Sequence, residues 1–106
     1  MLVVNKSAGV PVIPGRNSEI NFSLKHLFKE KYGDIFIVHR IDKETSGIVI
    51  FAKDAETHRL LNTMFQNRSI KKLYYLLTRG VPRPEKGQIE YALKKLNNTN
   101  KSVVNK

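Results

Sequence analysis

Cysteine is absent from the 106 residues of this sequence. Without a thiol the chain can form no disulfide, no cysteine nucleophile and no zinc or iron–sulfur site ligated by cysteine. Long apolar runs are also absent, since nothing approaches the ~20 residues that a membrane-spanning helix requires. Residues 1–16 lack the basic leader, apolar run and cleavage site of a signal peptide. These absences predict a protein of the reducing cytoplasm that does not enter membranes.

Acidic residues are scarce. Nine Asp and Glu stand against nineteen Lys and Arg, which gives a formal net charge of +10. This excess favours a polyanionic partner through attraction to phosphate, although a basic balance that serves solubility alone is the open alternative. The share of hydrophobic residues, 41%, is that of an ordinary folded protein, and the length suits one core. With no internal repeat and no linker, we expect a single unit over residues 1–106.

The hydrophobic pattern alternates between strands and helices. Apolar runs at 35–38 and 48–52 are typical of strands buried on both faces, and shorter or weaker patterns predict strands at 2–4, 70–78 and 88–93. Helical spacing over 21–31 predicts a helix with Ser18 or Asn21 as its N-cap and Gly33 just beyond its end. Asp54 is the predicted N-cap of a second helix that ends near Asn67.

The second predicted helix is amphipathic, and the sheet closes with turns. Four apolar residues of this helix fall on one face at helical spacing, namely Leu60, Leu61, Met64 and Phe65. Gly80 and the Pro82–Pro84 segment predict a turn after the strand at 70–78. Strands and helices in this order predict a single mixed α/β unit.

A dense polar loop lies between the two strongest predicted strands. It contains His39, Arg40, Asp42, Lys43, Glu44, Thr45 and Ser46. Functional side chains concentrate in such loops on rigid scaffolds. Thr45-Ser46-Gly47 predicts a turn, because glycine adopts backbone conformations that a side chain forbids. From chemistry alone, Asp42 beside Arg40 is equally compatible with a surface ion pair.

The sequence His39-Arg40-Ile41-Asp42-Lys43-Glu44-Thr45-Ser46-Gly47 resembles the H-R-[LI]-D-x-x-T-S-G motif of the RluA family of pseudouridine synthases. Two flanking segments resemble family segments in the same order. Residues 5–9, NKSAG, are similar to an early N-K-P-x-G segment, with Ser7 in place of the proline, and residues 71–74, KKLY, are similar to a later K-x-Y strand. Three segments in register make chance an inadequate explanation.

The resemblance implies an α+β fold with a mixed, largely antiparallel sheet and flanking helices. It also implies that Asp42 is the catalytic carboxylate that converts uridine to pseudouridine without cofactor or metal. Glu44 is interpreted as a solvated loop residue, because no water needs activation. A hydrolase that uses Asp42 and Glu44 together is the rival enzyme hypothesis, and it predicts free uracil.

Further residues receive roles from the resemblance. Tyr74 matches the family's active-site tyrosine, and Tyr75 is its rival because neighbouring strand residues point to opposite faces. Arg40 corresponds to the arginine that occupies the space left by the flipped nucleotide, with a plain phosphate contact as the alternative. His39 is open to a general-base role or a structural hydrogen bond. Predicted contacts to ribosomal or transfer RNA come from His39, Arg40, Thr45, Arg68, Lys71 and Lys72.

The resemblance covers only part of a domain. Complete members of the family continue into further strands and an arginine segment that pairs with the catalytic aspartate. We therefore expect residues 1–106 to be a partial catalytic domain that lacks its C-terminal part and exposes an unpaired sheet edge, through which self-association is possible. An RNA-binding fragment without catalysis is the alternative function. His26 and His58 show no metal-ligand spacing with His39, so no metal site is predicted.

Overall fold

The computed structural model describes residues 1–15, 22–97 and 101–105. The element order is β1 (Leu2–Lys6), α1 (Leu24–Tyr32), β2 (Phe36–Ile37), β3 (Gly47–Ala52), α2 (Ala55–Gln66), β4 (Leu93–Lys95) and β5 (Ser102–Val104). The chain divides into two compact units, Met1–Lys72 and Leu73–Lys106. The first unit contains the sheet that carries the polar loop, and the second contains a hairpin.

A three-stranded sheet in the order β1-β3-β2 forms the centre of the first unit. β1 and β3 are antiparallel, with a register that runs from Leu2 opposite Phe51 to Lys6 opposite Gly47. β2 is also antiparallel to β3 and places Phe36 opposite Ala52. Two helices accompany antiparallel strands, which confirms the predicted α+β class. β1 and β2 are the edges of this sheet, and self-association through an edge stays a prediction.

One face of the sheet builds the core. Val49 and Phe51 are fully buried there, and Val12, Leu24 and Ile35 complete the cluster. Phe51 meets the ring of Phe28 from α1 edge to face, with centroids 5.4 Å apart. The prediction that β3 is buried on both faces was wrong in part, because Ile48 is 65% exposed, whereas Ala52 on the same face is buried. An antiparallel sheet needs cover on one face only, and its other face can meet water.

The short β2 also departs from the sequence pattern. The apolar run at 35–38 predicts a four-residue strand, but only Phe36–Ile37 pairs with β3. Val38 is half-buried without extending the ladder. The chain leaves the sheet at this point, and the His39 side chain accepts a hydrogen bond from the Ile50 amide of β3.

Both helices of the first unit are capped by polar side chains. Ser23 is the N-cap of α1 and accepts a hydrogen bond from the His26 amide at 3.2 Å, while the predicted caps Ser18 and Asn21 lie outside the described residues. Gly33 closes α1 with a positive φ of 79°, as predicted. A side-chain acceptor here satisfies an amide that the first helical turn leaves unpaired.

Asp54 begins α2 and Asn67 ends it, and both positions were predicted. The Asp54 carboxylate accepts the Thr57 amide at 2.7 Å, and this hydrogen bond lowers the pKa of Asp54. The predicted common apolar face of α2 was wrong in part: Leu61 is buried and Phe65 half-buried, whereas Leu60 is 62% exposed. Met64 is exposed with Leu60, so the buried stripe is narrower than the spacing indicates.

The second unit contains a β4–β5 hairpin in which Leu93 lies opposite Val104 and Lys95 opposite Ser102. The prediction of a strand over 70–78 was wrong, because these residues form no strand in the described part of the chain. A strand is stabilised by hydrogen bonds to a neighbouring strand, and no described strand pairs with this segment. The strand predicted at 88–93 was also misplaced, since β4 begins at Leu93 and pairs with residues of the polar C-terminal stretch.

Candidate active site

The polar loop leaves the sheet after β2 and returns to it at Gly47, the first residue of β3. Its tightest bend is a turn in which the Thr45 amide donates to the Asp42 carbonyl at 3.1 Å. The predicted Thr45-Ser46-Gly47 turn was therefore placed too late along the chain. Gly47 has a φ of 130°, which supports the prediction that this position requires glycine.

The side chain of Lys6, from the end of β1, lies under this loop. Lys6 is 1% exposed. Its ammonium donates to the Lys43 carbonyl at 2.8 Å, the Val10 carbonyl at 2.8 Å and the Ser7 carbonyl at 3.0 Å. Three acceptors match the three donors of an ammonium group, so the buried charge is fully hydrogen-bonded. The Lys6 side chain thereby ties the segment after β1 to the residue that follows Asp42.

The Lys43 carbonyl has a second donor. The Gly9 amide also donates to it at 2.9 Å. Both lone pairs of this carbonyl oxygen are thus used, and the backbone beside Asp42 is held from below by two different donors. The family resemblance of residues 5–9 predicts no role for Lys6. The signal was available, because Leu2, Val4 and Lys6 share one strand face, which directs Lys6 inward.

His39 anchors the start of the loop. Its Nε2 accepts a hydrogen bond from the Ile50 amide at 3.0 Å. Its ring stacks on that of Phe65 from α2, with centroids 4.8 Å apart and planes inclined by 21°. Partial burial lowers the pKa of His39, and the positive charge of Lys72 lowers it further. The structural hydrogen bond that sequence analysis weighed against a general-base role is present, and the predicted RNA contact of His39 stays a prediction.

We expect His39 to make the fold sensitive to acid. Its pKa is lowered in the folded state, so the unfolded chain binds this proton first, and stability is lost as pH falls through about 6.5. Protonation also removes the lone pair that accepts the Ile50 amide. The measurement is the urea midpoint at about pH 8 and about pH 5. His39→Gln, which keeps an acceptor, should lessen the difference, whereas the exposed His26→Gln should retain it; equal acid sensitivity in all three proteins contradicts the assignment.

The side chains proposed for chemistry lie on the exposed side of the anchored loop. Arg40, Asp42 and Glu44 are exposed and Thr45 is half-buried. Within residues 1–15, 22–97 and 101–105 an ion pair joins His26 to Glu30 at 3.4 Å, and both residues lie in α1, away from the loop in sequence. Arg40 and Asp42 form no such pair, so the alternative of a surface ion pair is not supported. The Asp42 side chain is exposed on the loop and makes no ion pair with Arg40.

The predicted basic contacts divide into two groups. The ammonium of Lys72 lies 5.0 Å from the centre of the Phe65 ring, so Lys72, Phe65 and His39 form a stack connected to the start of the loop. Arg68, at a positive φ of 53°, and Lys71 are exposed beyond the end of α2, without a described contact to the loop. The sequence pattern predicts Phe65 only as part of the apolar face of α2, and it gives no signal for the stacking of Phe65 on His39.

Tyr74 and Tyr75 belong to the second unit. Tyr74 is 55% exposed and Tyr75 94% exposed. Among the described residues no cluster of three or more His, Asp or Glu side chains is suited to hold a metal ion. The helices of the described ranges include none that is long and apolar enough to cross a membrane.

The fold and loop define an α+β protein that presents an exposed carboxylate on an anchored loop, within a strongly basic chain. Residues 1–106 match the family described as RNA pseudouridylate synthase, and the chain belongs to that family.

Named relatives share a third or more of the aligned residues. The chain is 38% identical over 93 residues to the dual-specificity RNA pseudouridine synthase RluA of Vibrio parahaemolyticus, covering 88% of the chain and 37% of that protein. It is 33% identical over 96 residues to tRNA pseudouridine synthase C of Haemophilus ducreyi, covering 89% of the chain and 39% of the relative. The chain thus spans about two-fifths of the length of these relatives.

One solved structure is also similar. The human RNA pseudouridylate synthase domain containing 4 is 28% identical, with a TM-score of 0.48, and the match covers 63% of this chain and 26% of the human one.

Proposed function

We propose that residues 1–106 are part of the catalytic domain of an RNA pseudouridine synthase and that Asp42 is its catalytic carboxylate. The observation that carries the proposal is the exposed Asp42 on a loop fixed by His39 at its start and by Lys6 and Gly9 at Lys43. Catalytic groups act best when the scaffold holds them in place before the substrate binds. Family membership supplies the reaction for which such a carboxylate is suited.

The chemistry needs one carboxylate. Breaking the bond between C1′ and N1 of uridine leaves an electron-poor sugar, which a carboxylate stabilises, bonds to or relieves of a neighbouring proton. The uracil then rotates and bonds to C1′ through C5, any bond between the carboxylate and the sugar breaks, the C5 proton leaves to solvent and N1 takes up a proton. Nucleoside mass is conserved. Hydrolysis would instead require a second carboxylate that acts as a base and activates water. Glu44 is an exposed residue of the turn with no described partner.

RNA is the proposed substrate. The net charge of +10 favours a phosphate backbone. One relative is named for transfer RNA and another as dual-specific. We propose ribosomal or transfer RNA in the cytoplasm as the target. We propose that Lys72, whose ammonium lies 5.0 Å from the centre of the Phe65 ring, contacts a phosphate near the loop. Arg68, Lys71 and Thr45 are proposed as further contacts.

Arg40→Ala is expected to slow turnover by about 10²-fold on a uridine within folded RNA and by less than about threefold on an unstacked uridine, because extrusion costs a few kcal/mol. The reason is that a planar guanidinium can occupy the space left by the flipped base. Single-turnover rates on a hairpin and on an unstructured oligonucleotide of equal length measure the difference. An equal loss of turnover on both RNAs would contradict the role in base flipping and would indicate that Arg40 only contacts phosphate.

Tyr74→Phe is expected to lower turnover by about 10²-fold with little change in RNA affinity, because a phenol that shifts the C5 proton acts as a general acid or base. Tyr75→Phe is the matched control, since it removes the same hydroxyl from the neighbouring residue and should leave turnover unchanged. Rates and dissociation constants of both variants are measured side by side. If Tyr75→Phe is the slower enzyme, the two assignments must be exchanged.

A second candidate function is RNA binding without catalysis. It is favoured by the net charge of +10, which attracts phosphate whether or not a reaction follows. The test uses RNA labelled with tritium at C5 of uridine, whose release to water reports bond formation at C5. Residues 1–106 are compared with an extended chain. The extended chain joins residues 1–106 to the part of the Vibrio parahaemolyticus relative that follows its matched segment. Tritium release by either supports the synthase, whereas salt-sensitive binding without release in both supports the alternative.

A further inference from the structure

A cluster of one exposed tyrosine and two lysines lies at the C-terminal end of α1. The ammonium groups of Lys31 and Lys53 each lie 5.3 Å from the centre of the Tyr32 ring. Tyr32 is 40% exposed. We refer to Lys31, Tyr32 and Lys53 as the Tyr32 cluster. None of these residues takes part in the chemistry proposed for Asp42.

The cluster rests on rigid parts of the fold. Tyr32 is the last residue of α1, and its ring lies 6.0 Å from that of Phe28, which in turn contacts the buried Phe51. Lys53 directly follows β3. Two elements separate in sequence therefore bring their cations to the same aromatic ring. Lysines in the last turn of a helix can be explained by the helix dipole, but Lys53 is outside the helix and has no such explanation.

Charged side chains of both signs surround the cluster. Lys29 lies in the same last turn as Lys31. The acidic residues within two positions of the cluster are Glu30, Asp34 and Asp54. The Glu30 carboxylate lies 3.4 Å from His26, and that of Asp54 accepts hydrogen bonds from Thr57. Within the described ranges neither Lys31 nor Lys53 belongs to a recorded ion pair. Both ammonium groups therefore keep donors for an anion while they contact the ring.

The Tyr32 cluster and the polar loop lie at opposite ends of β3. Gly47 adjoins the loop and Ala52 precedes Lys53. A strand of this length spans about 20 Å. That distance corresponds to about six nucleotides along one strand of a nucleic-acid helix.

We propose that the Tyr32 cluster is a second RNA contact, in which Lys31 and Lys53 bind backbone phosphates while the Tyr32 ring, which both ammonium groups contact, holds them near each other. This inference rests on the proposed function, because the ligand is the same RNA. Cationic side chains beside an aromatic ring are a combination with which proteins bind nucleic acid without reading its sequence. The contact selects RNA that extends at least about six nucleotides from the reacting uridine.

The test is the salt dependence of affinity for an RNA hairpin of about 20 nucleotides, measured by fluorescence anisotropy on the full chain. In the Lys31→Gln/Lys53→Gln variant the plot of log affinity against log salt should become less steep, its negative slope decreasing in magnitude by about 1.5. Binding at low salt should weaken roughly 10- to 50-fold. The matched control is Lys25→Gln/Lys86→Gln, which removes the same charge from exposed positions outside the cluster. Its slope should change by less than about 0.5.

Two results overturn the inference. Equal losses in both double variants would show that net charge alone sets affinity, and an unchanged slope in the cluster variant would show that these lysines do not meet the RNA. Circular dichroism of each variant confirms that it is folded. The proposed function fails separately: if Asp42 proves dispensable for turnover while the cluster variant loses salt dependence, the inference stands and the catalytic assignment falls.

Discussion

Replacing Asp42 by asparagine is expected to slow pseudouridine formation by on the order of 10⁴-fold or more, the effect typical of removing a group that acts directly on the reacting atoms. Asparagine has nearly the same shape, so the loop and its hydrogen bonds to Lys6 and Gly9 should persist. Only the charge and nucleophilicity of the side chain are lost. RNA affinity should therefore remain within about twofold of the unmodified chain.

The measurement is single-turnover tritium release at saturating protein, together with an anisotropy titration. Glu44→Gln is the matched control, because it neutralises a carboxylate two residues away in the same turn. We expect this control to retain turnover within about threefold, as for a solvated surface residue. If Glu44→Gln were as damaging as Asp42→Asn, both carboxylates would take part and the hydrolase hypothesis would regain support.

Lys6→Met is expected to destabilise the first unit by about 2–3 kcal/mol, because three charge-assisted hydrogen bonds are lost. The Ser7 and Val10 carbonyls lose this donor, and the Lys43 carbonyl keeps only the Gly9 amide. Methionine keeps most of the apolar stem of lysine. The effect therefore isolates the ammonium, which is buried and donates to all three carbonyls. Urea unfolding followed by circular dichroism measures the loss.

The same exchange should also affect turnover. Lys6 holds the residue that follows Asp42, and a misplacement of about 1 Å can slow a reaction about 10²-fold. Lys25→Met is the control, since it removes an exposed lysine from α1 and should change stability by less than about 0.5 kcal/mol. Comparable losses in the two variants would mean that Lys6 contributes only charge. A stable Lys6→Met protein with full turnover would contradict the anchoring role.

Local signals predicted the first unit well. Asp54 and Asn67 bound the second helix as predicted, and Gly33 ends the first. These positions depend on the few residues next to them, because a cap or a positive φ is satisfied within one turn of chain. The strand at 48–52 was also found, since its apolar run lies at the centre of the sheet and is paired on both sides.

Features that depend on distant partners were predicted poorly. Residues 70–78 are rich in apolar side chains, yet a strand needs a neighbour, and sequence pattern alone names none. The hairpin of β4 with β5 was misplaced for the same reason, because its second strand lies in a polar stretch. The buried Lys6 was missed because a lysine is expected at the surface unless its acceptors are known. Its acceptors come from residues up to 37 positions away in the chain.

The candidate site combines both kinds of information. The loop was located from its polar residues and its family motif, which are local in sequence. The anchors that fix it come from β1, β3 and α2, which meet only after folding. Sequence therefore located the exposed polar loop, and the structure added the residues that hold its backbone.

We propose that this loop isomerises uridine in RNA through Asp42. The most direct test of this proposal is nucleoside analysis by chromatography and mass spectrometry of RNA treated with the extended chain. We predict that pseudouridine appears in the amount by which uridine declines, with no free uracil, and that Asp42→Asn yields none. Free uracil, or pseudouridine that persists in the Asp42→Asn protein, would contradict the account.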